Sequence, residues 1–477
     1  MRSFFYRAFI VLIAALTLTA QGCTKGPDKA TVDASQPKKL TIWAVVDDRD
    51  PYADLIEEYQ TAHPHISITY KRFRLEEYED LLIDAFAEDR GPDIFMIHNT
   101  WVGKYLPKIE PMPAFTKMVY TIVEGGYTNR KETLILQNEK SITLREVRDN
   151  YPDVVGKDVI RKINTASAGE AAFIEEKVVG LPMSVDTMAM FVNKDILNSA
   201  GIPTIPNEWS AFQATMNRIV QVDTEGEIIQ AGAALGTSNN IDRASDILSV
   251  LMMQAGTQMT TDEGYPTFAL MPEVLSQIRD EIPAVQALRF YLDFANEEKN
   301  VYSWNASMPD ALDAFVQGRL AYYFGYSYDL AAIKARAPKL NLSIARLPQI
   351  EGSPEVNFAN YWVWTVSDKS KETETAWNFI NFLTRVENEQ KYLDESRKPP
   401  AHRSLIEKYL DDEELGVFAS QLLTSQSWYR GADPETAEQA MLEIIDTAPL
   451  SEEKDWVKII SVAQDKVNQT IRAKKNP

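Results

Sequence analysis

Residues 40–46 (LTIWAVV) form a short apolar run of strand type, ended by the acidic loop Asp47-Asp48-Arg49-Asp50. Pro51 then opens a stretch in which Tyr52, Leu55, Ile56 and Tyr59 share one helical face. Alternation predicts a second strand over 66–70. Helical spacing returns over 76–89 through Tyr78, Leu81, Leu82, Ala85 and Phe86. Gly91-Pro92 interrupts the pattern, and 93–98 (DIFMIH) predicts a third strand. Strand–helix alternation of this kind predicts βαβ units in an open α/β sheet. Farther along, Leu312, Phe315 and Val316 mark one helix, and Ala376, Phe379, Ile380 and Leu383 another. Residues 115–172 are charged, mixed in pattern and without a clear period.

Open α/β sheets bind ligands beyond the carboxyl ends of their strands, where the strand order reverses. That rule selects Asp47 and Asp48 after the first strand, and Asn99 and Trp101 after the third. Locally, the Asp pair reads equally well as a solvated, helix-capping loop.

The N-terminus has a different pattern. Arg2 and Arg7 precede an apolar run over 8–18, and Ala20-Gln21-Gly22 leads to Cys23. The run is shorter than the ~20 residues of a spanning helix, so 1–22 reads as a signal peptide. The stretch resembles a bacterial lipobox, with Ala20 where leucine is commoner. Lipidation of Cys23 is expected, against a conventional cut that leaves a free thiol. Residues 23–39 are polar with two prolines and read as a flexible tether. Durable attachment to the outer face of the cell membrane needs more than one acyl chain.

Composition narrows the function. The 477 residues carry 49 basic and 69 acidic side chains, a net charge of −20. That field repels phosphate backbones, so nucleic acid is not an expected partner. One cysteine and four histidines leave few transition-metal ligands, and His63 and His65 beside Pro64 read as a solvated pair. No cofactor is expected, since no phosphate loop or dinucleotide fingerprint is present, and no HExxH or GxSxG. With 69 carboxylates, a proposed glycosidase pair has no specificity, and nothing in the sequence asks for an enzyme.

Aromatic clusters say more. Residues 322–328 (YYFGYSY), 361–364 (YWVW) and Trp428-Tyr429 set rings beside polar groups. Most single rings read as core. The mixture nevertheless suits sugars, whose C–H faces lie on aromatic rings while carboxylates and amides take the hydroxyls.

Residues 180–202 (GLPMSVDTMAMFVNKDILNSAGI) resemble the signature stretch of the family 1 extracellular solute-binding proteins of ABC importers, the maltose-binding-like group. Four more segments agree in order: 91–94 (GPDI), 206–209 (PNEW), 311–330 and 364–383. The resemblance implies an α/β, two-lobed, periplasmic-binding-protein-like (type II) fold with discontinuous lobes and hinge crossovers. Residues 40–185 would begin lobe 1 and 186–358 lobe 2. Residues 359–410 would return to lobe 1, and 411–477 would be C-terminal helices mainly on lobe 2. By the same resemblance the pocket takes Asp47, Asp48, Asn99, Trp101, Asp186, Tyr326, Ser327, Tyr361, Trp362 and Trp428, the last on a C-terminal helix. It implies a monomer that captures a mono- or oligosaccharide and delivers it to ABC permease subunits. Residues 115–172 are longer than in typical relatives, as surface elaboration or as a new rim to the cleft. Alternatives are a polyamine, glycerol phosphate or peptide on the same fold, a secreted glycosidase, or a passive scaffold.

Overall fold

The structure, a computed structural model, describes residues 28–124, 131–166 and 171–472; the export segment and Cys23 lie outside them. The described residues open with a one-and-a-half-turn helix, Lys29–Ala34, capped by the Asp28 side chain on the Thr31 N–H at 2.8 Å. This corrects the expected tether, because 28–39 is ordered against the body. Thr31 is buried where the helix packs on a hairpin more than eighty residues away. A stretch with no apolar period offers no sign of that contact.

The first sheet follows from the predicted strands. Strand β1 (Lys38–Ala44) pairs in parallel with β2 (Ile66–Arg72) and β3 (Ile94–His98). Its buried Leu40, Ile42 and Ala44 alternate with more exposed positions, as a pleated strand requires. The strand begins two residues before the apolar run, because Lys38 and Lys39 continue the backbone ladder opposite Ile66 and Ser67. Helices Ala53–Ala62 and Leu75–Ala87 make the crossovers.

The stretch without a period resolves into two antiparallel hairpins around two short helices. The first hairpin is β4 (Phe115–Glu124) with β5 (Lys131–Lys140), and the second is β6 (Ile160–Asn164) with β7 (Ile174–Val178). Between them lie Leu144–Asn150 and Asp153–Val159. His63, expected to be solvated, is instead buried. Its ring contacts Tyr59 and, from β4, Tyr120, and its Nδ1 lies 3.2 Å from the Val119 carbonyl oxygen.

After β8 (Asp186–Thr187) the chain enters a second sheet. It contains β9 (Ala189–Asn193), β10 (Gln221–Val222), β11 (Ile228–Ala233), β12 (Leu320–Gly325) and β13 (Leu342–Ala345), in the order β10-β11-β12-β9-β13. Helix Ala244–Gln254 packs into this lobe with all eleven residues buried, and its apolar run from Ile247 to Met253 is broken only by Ser249. Its one buried amide, Gln254, accepts from the Trp209 indole and donates to the Pro348 and Val356 carbonyls.

Strand β14 (Asn357–Asn360) runs antiparallel to β8, and Tyr361 links it to β15 (Trp362–Val366). Strand β15 closes the first sheet, giving β15-β3-β1-β2. Strand β16 (Ser425–Gln426) joins β14 and β8 in a small hinge sheet. Helices Pro434–Thr447 and Trp456–Arg472 then pack on each other and on the second lobe. The chain thus passes between the lobes three times.

Candidate functional site

A cleft of about 1000 Å³ lies between the lobes. Lobe 1 lines it with Val45, Phe73, Arg74, His98, Asn99, Trp101 and Trp362, from the carboxyl ends of β1, β2 and β3 and the start of β15. The facing wall is Arg243, Asp246, Ser249, Tyr328, Trp428 and Glu438. A second cavity of about 150 Å³ adjoins it at the hinge, lined by Asp47, Ser184, Asp186, Ser327, Tyr361, Tyr392 and Lys398. Val46, Tyr328, Asn360 and Trp362 line both.

The lobe 1 wall is built of rings. Trp362 meets His98 and Trp101 edge-on, with centroids 5.4 and 5.5 Å apart, and Trp101 stacks on Tyr105. His98 Nε2 is 3.1 Å from Asn360 Oδ1 and Nδ1 is 2.8 Å from Thr100 Oγ1. A neutral ring with its proton on Nε2 satisfies both. Burial holds the ring neutral by pushing its pKa down to about 4, only partly opposed by the bond to Asn360.

The lobe 2 wall is built of charges. Arg243 Nε donates to Asp246 Oδ2 at 2.9 Å, and the Tyr326 hydroxyl donates to the same oxygen at 2.7 Å. The guanidinium also sits 5.6 Å from the Tyr326 ring centroid. Tyr326, expected in the pocket, is instead wholly buried behind the wall and lines neither cavity, because its hydroxyl is taken by Asp246. Tyr328 stacks on Tyr326 at 5.5 Å and is 53% exposed toward the cleft. Burial raises the Glu438 carboxyl above its ordinary range, while Ser245 Oγ lies 3.4 Å away.

The remaining candidates separate. Asp48 lines neither cavity; its side chain is 67% exposed and pairs with Arg72. Asp47 does line the small cavity, but its carboxylate is already engaged. It takes the Lys398 ammonium at 2.5 Å and the Tyr392 hydroxyl at 2.7 Å, with Tyr52 at 3.4 Å. Asp186 accepts from the Ser327 backbone and hydroxyl and from the Thr187 N–H, at 2.6–2.9 Å. Burial outweighs these bonds and pushes its pKa up to about 7. Trp428 faces the cleft from an extended segment after β16, not from a helix as expected. The turn there is held by side chains on both sides, and the Trp428 indole donates to Ser249 Oγ at 3.1 Å.

Sequence reasoning passed over Asp158, which is 1% exposed on the Asp153–Val159 helix. Its Oδ2 accepts from Asn99 Nδ2 (3.1 Å), the Tyr361 hydroxyl (2.8 Å) and Ser427 Oγ (2.7 Å), and its Oδ1 takes Arg430 Nε (2.9 Å). It lay in the stretch without a period, among many acidic residues, and no local signal marks it. Asp246 and Glu438 were likewise hidden, since helix and strand spacing do not report which polar faces meet across a gap.

Two α/β lobes with three chain passages and a ring-and-charge cleft between them define a two-lobed solute-binding protein. The family model for the bacterial extracellular solute-binding protein matches residues 54–413, and the chain belongs to that family. A galactooligosaccharide-binding protein of Bacillus subtilis is 20% identical over 90% of this chain and 87% of its own length. A multiple sugar-binding protein of Streptococcus mutans is 23% identical over 54% of this chain and 59% of its own length. Among solved structures, the cyclic alpha-maltosyl-1,6-maltose binding protein of Arthrobacter globiformis superposes with a TM-score of 0.66 at 16% identity, covering 92% of this chain and 100% of that one. The sugar-binding protein MalE of Xanthomonas citri gives 0.65 at 17% identity, with the same two coverages.

Proposed function

We propose that this protein is the extracytoplasmic capture subunit of an ABC importer, that it takes a mono- or oligosaccharide between its lobes, and that it hands the sugar to membrane permease subunits. The observation that carries this reading is the pairing of walls. Trp101, Trp362, Trp428 and the half-exposed Tyr328 offer ring faces, while the exposed Glu438 and the second carboxylate oxygen of Asp246, whose Oδ2 is held by Arg243 and Tyr326, offer acceptors, all to one cleft. Rings cover the C–H face of a pyranose and acceptors take its hydroxyls. The names of the relatives from Bacillus subtilis and Streptococcus mutans support the same class of ligand. Capture needs no reaction, and no cofactor enters it.

Closure of the lobes on the sugar is driven by its preference for the closed form, which the permease then reads. A micromolar ligand requires about −8 kcal/mol, within reach of a few stacked rings and a ring of hydrogen bonds. Acylation of Cys23 would hold the body at the membrane it serves.

Thermal-shift measurements against maltose, maltotetraose, galactose oligomers, glycerol phosphate and spermidine test the reading. A sugar at 100 times its Kd should add about 2.7 kcal/mol of apparent stability. A shift with spermidine and none with any sugar would transfer the cleft to polyamines, which its carboxylates Asp246, Glu435 and Glu438 would then bind.

A further inference from the structure

We propose that Asp158 is a positioning residue of the cleft, acting through Trp428, so that the segment between β3 and β8 helps set ligand affinity without touching the ligand. The inference rests on the cleft being the ligand site. Its ground is the placement of five groups. Asp158 belongs to the short helix between the two hairpins of lobe 1, yet its four side-chain partners come from three other parts of the chain. Asn99 follows β3, Tyr361 lies in the second passage between the lobes, and Ser427 and Arg430 belong to the third.

Ser427 and Arg430 bracket Trp428 in sequence. Ser427 Oγ lies 2.7–2.8 Å from both carboxylate oxygens, and Arg430 makes the ion pair from the other side. Lobe 1 reinforces the grip. Arg161 donates to the Arg430 carbonyl at 3.1 Å, and the Val102–Tyr105 helix meets the turn so closely that a Cβ on Gly103 would lie 1.9 Å from the Gly431 carbonyl oxygen. The backbone under Trp428 is thus fixed to lobe 1, while its indole N–H is fixed to Ser249 of lobe 2. One ring of the cleft is held between the two bodies, and on its lobe 1 side Asp158 binds the side chains that flank it, Ser427 and Arg430.

A carboxylate only accepts, which also decides the neighbouring amide. Asn99 must turn its nitrogen to Asp158, whatever the rest of the site prefers. Replacing Asp158 by Asn leaves the volume nearly unchanged but removes the charge paired with Arg430 and leaves one oxygen where two accepted, so that an N–H faces an N–H.

The test is a mutant cycle on the full chain, with isothermal titration of maltotetraose and of galactotriose. Asp158→Asn should weaken the sugar that binds by about 10-fold, and Trp428→Ala by more. The double variant should be no weaker than Trp428→Ala alone, because a positioning residue has nothing left to position. Additive losses, or unchanged affinity in Asp158→Asn, would overturn the proposal. A ligand-free readout runs beside it: acrylamide quenching of Trp428, taken as the difference between each chain and its Trp428→Phe counterpart. Quenching should rise in Asp158→Asn. It should rise also in Arg430→Met, which leaves Asp158 in place and serves if the first variant does not fold. Unchanged quenching in both sinks the idea. If neither sugar binds, the carbohydrate reading fails, and quenching alone decides the role of Asp158.

Discussion

The two cavities at the hinge hold similar residues and put them to different uses. In the large cleft, Trp101, Trp362 and Tyr328 keep ring surface open between the lobes, and Glu438 is exposed to the gap, while Asp246 keeps one oxygen beyond the Oδ2 held by Arg243 and Tyr326. In the small cavity, Asp47 and Asp186 are consumed by internal donors: Lys398 and Tyr392 for one, Ser327 and Thr187 for the other. A carboxylate near a ligand cleft is therefore not by that fact a ligand group. What separates the two is whether the protein has already satisfied it, since a buried polar atom without partners is costly and one with partners has little left to offer.

Substitutions should split along the same line. The largest effect is expected for Asp47→Ala, which leaves the buried Tyr392 hydroxyl without its acceptor and the part-buried Lys398 ammonium unpaired. Leaving a buried hydrogen-bonding group without its partner costs up to about 3 kcal/mol, read as a lower urea midpoint with the slope unchanged. If stability holds and ligand affinity falls instead, the small cavity belongs to the binding surface and the contrast collapses.

Next comes Trp362→Ala, with the opposite signature. It removes the ring shared by His98 and Trp101, and ligand affinity should drop by about 30-fold, or ~2 kcal/mol. Calorimetry measures this directly, and equal affinity in the variant would take the indole out of the site.

The smallest effect concerns pH. The Asp186 carboxyl has its pKa raised to about 7 from an ordinary 3.8, because burial disfavours the charge. The folded state therefore holds this proton more tightly than the unfolded chain. Its stabilising contribution is complete below the unfolded pKa and is lost as pH rises toward 7. The Tm of the native chain minus that of Asp186→Asn should thus fall by a few degrees between about pH 4 and pH 7. A flat difference would mean that Asp186 is as well solvated as an open-cleft carboxylate.

The architecture was legible because periodicity is local. Strands predicted over 66–70 and 93–98 correspond to Ile66–Arg72 and Ile94–His98, and the Ala376–Leu383 spacing falls inside helix Thr373–Leu383. Motif order then supplied the two-lobed fold that the family match and the structural superpositions share. Asn99, Trp101, Trp362 and Trp428 were also within reach, since the strand-end rule and the ring clusters pointed to them, and all four line the cleft. Asp48 and Tyr326 were equally good candidates on sequence and lie elsewhere, one on the surface and one behind the wall.

By itself the sequence determined the strands and helices of the periodic stretches, how they alternate, and which rings stand at strand ends, but not the hairpins within 115–172. Each of these depends on neighbours a few residues away along the chain. Only the tertiary structure decided which carboxylates are spent and which are free. Asp47 meets Lys398 across 351 residues, Asp186 meets Ser327 across 141, and Asp158 meets Arg430 across 272. Pairings at that separation are set by how the lobes pack, and packing leaves no periodic trace in the chain.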